Sequence, residues 1–278
     1  MSATRTRVKI DLDTWVQAAP DEPESQFRKA VHILLHTLAQ SEPNECRYAL
    51  KGGILLAIRY DSPRFTTDVD LSTSEEFTRD RARLFLDRIH DELPEAIALL
   101  GYGIDCRVQS TEVRPKPDGK DKQFFTLQIK IGFAVQGTRQ HQRLLDGKAS
   151  KTFQVDYSFF EEMPNIEALE LDGGMTLPAY AIHDLIAEKL RAIIQQGVRK
   201  RFRRQDAFDI YNLLNQGILA SDDDRQRVLE SLVDKASSRA LEVSPTSLDA
   251  PDIRDRSKRE YENLRSEVVR AIPEFDEV

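Results

Sequence analysis

The 278-residue sequence predicts an α+β fold, in which a sheet-forming part precedes a part made of helices alone. Two observations support this prediction. First, apolar and polar residues alternate in three runs, as they do in half-buried strands. These runs cover residues 104–108, 125–135 and 152–159. Second, sheet signals stop near Pro164, and after the turn at residues 172–174 apolar residues recur at helical spacing. The predicted parts are a lead-in (1–24), a mixed domain (25–170) and a helical domain (171–278).

The remaining elements are assigned from apolar spacing and from turn residues. Helical spacing begins at Ser25, and the apolar run after residue 51 predicts a buried helix. Pro94 is a candidate break in the helix over 79–100. The full prediction has strands over 47–50, 68–71, 104–108, 125–135 and 152–159, a loop over 114–122, and helices over 25–38, 52–60, 79–100, 181–196, 205–216, 222–238 and 253–271.

Composition restricts the class of protein. Hydrophobic residues make up 40% of the chain and charged residues 31%, which is typical of a globular protein. No apolar run is long enough to span a membrane and the N-terminus lacks an apolar signal core, so we expect a cytoplasmic protein without membrane contact. Cys46 and Cys106 have no metal-ligand spacing and are expected to be reduced and buried. The net charge of −7 argues against binding of nucleic acid over the whole surface, so any such contact must come from a local basic patch.

The sequence Asp68-Val69-Asp70-Leu71 is the first candidate for chemistry. Side chains alternate faces along a strand, so Asp68 and Asp70 point the same way while Val69 and Leu71 enter the core. Asp156 lies on the polar face of the run over 152–159. Three carboxylates from two strands are therefore expected to converge. Paired carboxylates favour a hard divalent cation such as Mg²⁺, although an isolated Asp-x-Asp is more often a solvated turn.

The sequence Lys51-Gly52-Gly53 precedes this strand and opens the buried helix. A helix N-terminus offers free N–H groups and a partial positive charge to a phosphate, and glycine permits close approach. Together with the aspartates, the two glycines predict a site for a metal-bound nucleoside triphosphate.

Three charged residues fall on apolar helix stripes in the C-terminal part. Lys189 lies in the middle of the stripe formed by Ile182, Leu185, Ile186, Leu190 and Ile193. Asp206 and Asp209 continue the stripe of the next helix. A structural ion cluster would explain them, and so would a role at the proposed phosphate site.

A basic run lies between those two helices. Five of its six residues are positively charged, and they surround one aromatic residue. The run is Arg199, Lys200, Arg201, Phe202, Arg203 and Arg204. A solvated loop is one interpretation. The alternative is a clamp for triphosphate or for the backbone of an RNA acceptor, with Phe202 stacking on a base.

These motifs together resemble the AbiEii/AbiGii toxin family of nucleotidyltransferases, which includes the MenT toxins. The similar segments are Leu50 to Gly53, Arg59-Tyr60, Arg64, Thr67 to Ser72, Val155-Asp156, Ala187 to Ala192 and Asp206 to Tyr211. The likeness spans about residues 47 to 215. Two positions depart from the family pattern. Ile54 follows Gly53 where the family often has a hydroxyl residue, and Gln205 stands where a basic residue usually precedes Asp206.

The resemblance implies a nucleotidyltransferase-type mixed twisted sheet with flanking helices and a helical C-terminal domain. It also implies the toxin of a type IV toxin–antitoxin pair or phage-defence module, with an antitoxin encoded alongside. The implied reaction moves a nucleoside monophosphate from NTP to an acceptor, by analogy the 3′ end of tRNA. The alternatives are transfer to a protein or to a small molecule such as an antibiotic, a nucleotide-binding regulator without turnover, and a purely structural module with solvated acids.

The residues are assigned roles on this basis. Asp68, Asp70 and Asp156 would hold two Mg²⁺ ions, and Asp156 could instead take the proton of the attacking hydroxyl. Lys189 would neutralise charge in the transition state. The expected nucleotide-binding residues are Lys51, Gly52, Gly53, Arg64, Thr67, Lys130, Arg204, Asp206 and Asp209. The expected nucleic-acid-binding residues are Arg199, Lys200, Arg201, Phe202 and Arg203.

Overall fold

A computed structural model describes residues 6–39, 48–116, 123–268 and 271–278 of the chain. Cys46 and the start of the strand predicted over 47–50 lie outside these residues, as does most of the loop predicted over 114–122. Among the described helices, none combines the length and the apolar character that crossing a membrane requires.

The described elements are eight strands and ten α-helices. The strands are β1 (Arg7–Lys9), β2 (Ala49–Lys51), β3 (Asp68–Ser72), β4 (Ile104–Arg114), β5 (Thr126–Val135), β6 (Thr152–Ser158), β7 (Ile166–Glu170) and β8 (Thr176–Tyr180). The helices are α1 (Leu12–Gln17), α2 (Glu22–Leu38), α3 (Gly52–Arg59), α4 (Arg79–Leu100), α5 (Arg139–Leu145), α6 (Ile182–Ile194), α7 (Gln196–Arg199), α8 (Arg204–Asn215), α9 (Asp222–Ser237) and α10 (Pro251–Lys258).

All eight strands form one mixed sheet of order β1-β7-β8-β2-β3-β6-β5-β4. The parallel pairs are β1 with β7, β2 with β8 and β3 with β6. The antiparallel pairs include β2 with β3, β4 with β5 and β5 with β6. This mixed sheet with flanking helices confirms the predicted fold class.

The chain forms two compact units. The first consists of Met1–Ile54, Thr67–Glu161 and Ile166–Ala179 and contains nearly all of the sheet. Within it, α2 and α4 pack on each other and against β4. The inward side chains of the central strands, such as Val69, Leu71 and Val155, are fully buried. Because they alternate with the polar residues of the same strands, the acids are left on the opposite face.

The second unit consists of Leu55–Thr66, Glu162–Asn165 and Tyr180–Val278. In this unit α6 packs against both α8 and α9. A separate apolar cluster joins Phe208 of α8 to the last part of the chain. Its other buried members are Tyr261, Leu264, Val268 and Ile272.

Several elements differ from the sequence prediction. The predicted lead-in contains β1 and α1, and α1 is anchored because Leu12 and Val16 are buried. The sheet continues past Pro164 with β7 and β8; every residue of β8 is buried, so no polar alternation marks it. Pro94 does not interrupt α4, whose apolar residues on both sides of it pack into the core.

The helix predicted over 253–271 is also wrong in length. The described chain has α10 there, followed by a short 3₁₀ helix at Tyr261–Ser266. Glu260 separates them with a φ of 61°, a left-handed conformation that ends a helix.

Candidate active site

The three candidate acids lie on one face of the sheet in two neighbouring strands. Asp70 of β3 is directly opposite Asp156 of β6 in the parallel ladder, and Asp68 is opposite Gln154. Side chains at paired positions of neighbouring strands point to the same face, and so do positions two residues apart in one strand. Asp68 is exposed, whereas Asp70 and Asp156 are half-buried. The pairing of β3 with β6 thus places Asp70 beside Asp156. Asp68 lies on the same face, two residues earlier in β3.

Two cross-strand rows contain these acids. In the first row, Lys51 of β2 is opposite Asp70, and Gln128 of β5 is opposite Asp156. In the second row, Gln154 has Asp68 on one side and Lys130 on the other. Lys51 is only 6% exposed, whereas Lys130 is exposed. Asp70 and Asp156 therefore lie in the middle of the first row, and Asp68 lies at one end of the second row with a basic residue at its other end.

Asp70 is held against the first residue of α3. A Cβ atom added to Gly52 would lie 2.0 Å from Oδ2 of Asp70, and the φ of Gly52 is +73°. Both facts require glycine, because any side chain would collide with the carboxylate and would also strain the backbone. The N-terminus of α3 carries a partial positive charge that stabilises such an anion. In this structure, Asp70 occupies the space that the missing side chain of Gly52 leaves.

Asp156 is held by two amide side chains. Its Oδ1 accepts hydrogen bonds from Gln154 Nε2 at 2.7 Å and from Gln128 Nε2 at 3.1 Å. These contacts fix the orientation of the carboxylate between β5 and β6. Sequence reasoning missed both glutamines. Gln154 could have been found by its position two residues before Asp156, but Gln128 required the register of β5 on β6.

The three acids have the type of donor atom that a divalent cation binds. Three carboxylates on one face are the hard oxygen donors that Mg²⁺ prefers, and the backbones of adjacent strands lie about 4.8 Å apart. However, no three His, Cys, Asp or Glu side chains of the described residues are arranged so that they could hold one ion. A cation shared by the three acids would therefore require their side chains to rotate. Thr67, which precedes Asp68, is exposed, and its hydroxyl lies 3.5 Å from Asp68 Oδ1.

The second unit contains a buried ion cluster, made of Arg64, Lys189, Asp206 and Asp209. Nζ of Lys189 donates to Asp206 Oδ1 at 2.9 Å and to Asp209 Oδ2 at 2.7 Å. Arg64 donates two parallel hydrogen bonds to Asp209, from Nε at 2.9 Å and from Nη2 at 2.8 Å. The cluster balances two positive charges with two negative ones, so each buried charge has a partner.

The pKa values in this cluster reflect the mutual pairing. Burial alone would raise the pKa of Asp209, but the charges and hydrogen bonds of Lys189 and Arg64 outweigh burial and lower it. Burial alone would lower the pKa of Lys189, but Asp206 and Asp209 raise it above its ordinary value. Both residues are therefore charged at neutral pH. The inward charges that the sequence identified form the ion cluster, and their contact with phosphate stays a prediction.

The basic run divides into exposed and paired residues. Arg199, Lys200 and Arg201 are exposed. Arg203 lies 3.4 Å from Asp206, and Arg204 forms ion pairs with Glu260 at 3.3 Å and Glu267 at 3.2 Å. The guanidinium of Arg259 lies 5.1 Å from the centre of the Phe202 ring. In this arrangement Arg203 and Arg204 are bound within the second unit, while the exposed trio faces solvent.

Comparison with known proteins identifies the class of this chain. Residues 33–278 match the family described as nucleotidyl transferase AbiEii toxin, type IV TA system. A comparison with individual curated proteins gives no match. Among solved structures, MenT4, a nucleotidyltransferase toxin from Mycobacterium tuberculosis H37Rv, is 16% identical. That match covers 96% of this chain and 85% of MenT4 with a TM-score of 0.51.

JHP933 from Helicobacter pylori is 15% identical, with 88% of this chain and 95% of JHP933 covered and a TM-score of 0.46. The likeness to MenT4 supports the fold, and the family match covers most of the chain. The chain belongs to the AbiEii family of nucleotidyltransferase toxins of type IV toxin–antitoxin systems.

Proposed function

We propose that this nucleotidyltransferase toxin moves a nucleoside monophosphate from NTP to the 3′ end of tRNA in a reaction that depends on a divalent cation. The observation that carries the proposal is the pairing of Asp70 with Asp156, with Asp68 on the same face. Family membership implies an NTP substrate and a cognate antitoxin. We place the reaction in the cytoplasm, where both NTP and tRNA are found.

The acids are proposed to act in two ways. Asp68, Asp70 and Asp156 would hold Mg²⁺, which when bound would neutralise charge on the triphosphate. During transfer, the acceptor oxygen forms a bond to the α-phosphorus while the bond to the pyrophosphate oxygen breaks. As the alternative to holding a metal ion, Asp156 would receive the proton of the acceptor hydroxyl. Both glutamine hydrogen bonds of Asp156 are made to Oδ1, and they fix the orientation of the carboxylate beside Asp70.

The other proposed nucleotide contacts come from the ends of the polar rows and from α3. Lys51 and Lys130 lie at the ends of the two rows that contain the acids, and their positive charges would neutralise the negative charge of the phosphates. For Gly52 and Gly53, the N-terminus of α3 supports a phosphate contact. Thr67 would contact the nucleotide beside Asp68. We also retain Lys189 as a proposed catalytic residue, and Arg64, Arg204, Asp206 and Asp209 as proposed nucleotide ligands.

The RNA acceptor is proposed from the exposed basic residues. Arg199, Lys200 and Arg201 are exposed on a chain whose net charge is −7, so their local positive charge is suited to phosphate groups. Phe202 and Arg203 are the proposed neighbours of this contact. Replacing the exposed trio with glutamine is expected to weaken RNA binding uniformly across sequences and to reduce its dependence on salt.

The experiment compares three classes of acceptor in parallel. Purified toxin is incubated with each NTP, radiolabelled at the α-phosphate, and with total tRNA, total protein or an aminoglycoside. The proposal requires label on tRNA, loss of labelling when EDTA removes the divalent cation, and recovery when Mg²⁺ is restored. Label on protein or drug would show that the acceptor is not tRNA. NTP binding without release of pyrophosphate from NTP, whichever acceptor is present, would indicate a regulator without turnover.

A further inference from the structure

A cavity of about 360 Å³ lies in the first unit, on the side of the sheet that helices cover. Residues of α1, α2, α4 and the turn between β7 and β8 line it. The ring centre of Phe27 in α2 lies 6.0 Å from that of Phe153 in β6, and the ring centre of Phe85 in α4 lies 4.3 Å from that of Tyr157. Asp156 alternates with these two β6 residues, so its carboxylate points to the other face. The cavity is therefore separate from the candidate acids.

Tyr102 connects Asp13 of α1 to His32 of α2 beside this cavity. Its hydroxyl donates to Asp13 Oδ1 at 2.7 Å and lies 2.8 Å from Nδ1 of His32. Burial and the hydrogen bond to Asp13 raise the pKa of Tyr102, so the hydroxyl keeps its proton. Because that proton points to Asp13, the hydroxyl oxygen accepts a hydrogen bond from Nδ1–H of His32. The two contacts thus place the proton of His32 on Nδ1.

The other ring nitrogen of His32 is left as an acceptor. The side chain of His32 is only 7% exposed, and it lines the cavity. Burial lowers the pKa of the imidazole, so the ring is neutral at neutral pH and Nε2 carries no proton. Within the described residues, Nε2 has no hydrogen-bond partner. A polar atom on a side chain buried this deeply ordinarily has one, so Nε2 indicates a ligand that donates a hydrogen bond.

The other polar groups of the cavity favour a positively charged ligand. Asp13 and Asp172 contribute carboxylates, and His36 contributes a second imidazole. Burial lowers the pKa of His36, which leaves this ring neutral as well. In the described part of the chain, the lining of the cavity includes no lysine and no arginine. The charge of the cavity is therefore negative, which attracts a cation and repels an anion.

The rest of the wall is apolar and suits an organic molecule. Leu12, Leu100, Leu171 and Met175 belong to it. Cavities that bind small molecules have volumes from about 300 Å³ and are lined mainly by apolar side chains with a few polar groups. A bare metal ion would gain little from the leucines, and no three His, Cys, Asp or Glu side chains among the described residues are arranged to hold one. These walls favour a ligand with an apolar body.

From these features, we infer that the cavity binds a small organic cation, an ammonium group on an apolar body. The ammonium group donates a hydrogen bond to Nε2 of His32, while the carboxylates of Asp13 and Asp172 supply the negative charge around it. The apolar body packs against the leucines. Nucleotides and RNA do not fit this site, because both are anions. The site is thus additional to the one proposed for the transfer reaction.

The test uses the full chain and three probes that share one phenyl body. Phenethylamine carries an ammonium group, phenethyl alcohol a neutral hydroxyl and hydrocinnamate a carboxylate. Isothermal titration calorimetry measures their affinities. In protein labelled with nitrogen-15 at histidine, the imidazole nitrogen resonances show whether Nε2 of His32 accepts a hydrogen bond. Neither readout depends on nucleotidyltransferase activity.

Two variants and one control assign the binding to this cavity. Asp172→Asn removes a charge from an exposed residue of the lining, and Asp146→Asn is the matched control because Asp146 is exposed but does not line the cavity. His32→Asn removes Nε2 while its amide can still donate to Tyr102 in place of Nδ1. Circular dichroism and the unfolding midpoint verify that each variant is folded, and Asp172→Asn decides the matter if His32→Asn is not.

We expect phenethylamine to bind at one saturable site and to shift the Nε2 resonance of His32, phenethyl alcohol to bind more weakly, and hydrocinnamate not to bind. His32→Asn should weaken binding of phenethylamine roughly tenfold and Asp172→Asn roughly threefold, whereas Asp146→Asn should not change it. The inference fails if hydrocinnamate binds as tightly as phenethylamine, if Asp172→Asn and Asp146→Asn bind alike, or if the Nε2 resonance stays in place. It also fails if Zn²⁺ at stoichiometric concentration shifts that resonance and displaces the amine, since the imidazoles would then form a metal site.

Discussion

Replacement of Gly52 by alanine tests the placement of Asp70 at the start of α3. The added Cβ would lie 2.0 Å from Oδ2, 2.8 Å from Cγ and 2.9 Å from Cβ of Asp70. Real Cβ atoms do not approach other atoms this closely, so the carboxylate must leave its position. The substitution should therefore damage both the stability of the protein and the carboxylate that we propose to be catalytic.

The magnitude has two parts. A φ of +73° costs an alanine about 1–2 kcal/mol relative to glycine. Displacement of a packed group adds about 1–3 kcal/mol. Gly137→Ala is the matched control, because Gly137 has a φ of +76° but nothing lies within 4 Å of an added Cβ. We expect Gly52→Ala to lower the free energy of unfolding by about 1–3 kcal/mol more than Gly137→Ala does.

Urea denaturation of the two variants measures this difference, and label transfer from NTP measures activity. Asp70→Gly removes all three atoms that would collide with the new Cβ. In that background, the cost of Gly52→Ala should fall to the cost of Gly137→Ala, which a double-mutant cycle detects. If Gly52→Ala and Gly137→Ala cost the same in the wild-type background, the carboxylate of Asp70 does not lie against Gly52, and the reasoning is refuted.

Three further predictions concern the ion cluster and the amide contacts of Asp156. Lys189→Met should lower the free energy of unfolding by about 3–5 kcal/mol, measured in urea, because it leaves the fully buried Asp209 with Arg64 alone. The pKa of Asp209 is lowered from 3.8 on folding, so its contribution to stability is present above that pH and is lost as the pH falls through the folded value. Acid titration of the wild type should therefore show stability decreasing below about pH 4, more steeply than in Asp209→Asn. Gln128→Ala should lower kcat about tenfold, measured by pyrophosphate release, since Asp156 loses one of its two amide donors.

Each of these predictions has an outcome that contradicts it. Unchanged stability of Lys189→Met would mean that the cluster is not buried in solution. Equal acid sensitivity of the wild type and Asp209→Asn would assign acid unfolding to other carboxylates. If Gln128→Glu, which sets a like charge beside Asp156, is as active as the wild type, the contact does not position a catalytic carboxylate.

The sequence predicts on which face of its strand each acid lies, but it does not predict which side chains lie beside the acids on neighbouring strands. Alternation within a strand places Asp68 and Asp70 together, and Asp156 on the polar face of its own strand. Which strand lies beside β3 depends on pairing between residues that are far apart in the chain. The Asp70 to Asp156 register joins positions 86 residues apart, and local pattern carries no information about such pairing. Gln128 was missed for the same reason.

The ion cluster shows a similar limit. The helical stripe reveals that Lys189 and Asp209 face inward, because both interrupt an apolar face. Arg64, however, lies 145 residues from Asp209 in a segment without periodic pattern, so its two hydrogen bonds could only be found in three dimensions. Strand β8 escaped prediction because it is buried throughout and contains Pro178, a residue that ordinarily argues against a strand.

The most direct test of the proposed reaction is the sequencing of tRNA 3′ ends after incubation with purified toxin, NTP and Mg²⁺. Asp70→Asn serves as the comparison, because it keeps the size of the side chain that packs on Gly52 but removes its charge. We expect added nucleotides at tRNA 3′ ends with the wild type and none with Asp70→Asn, while both proteins unfold at similar urea concentrations. Nucleotide addition by a folded Asp70→Asn variant at the wild-type rate would contradict the assignment of the reaction to these carboxylates.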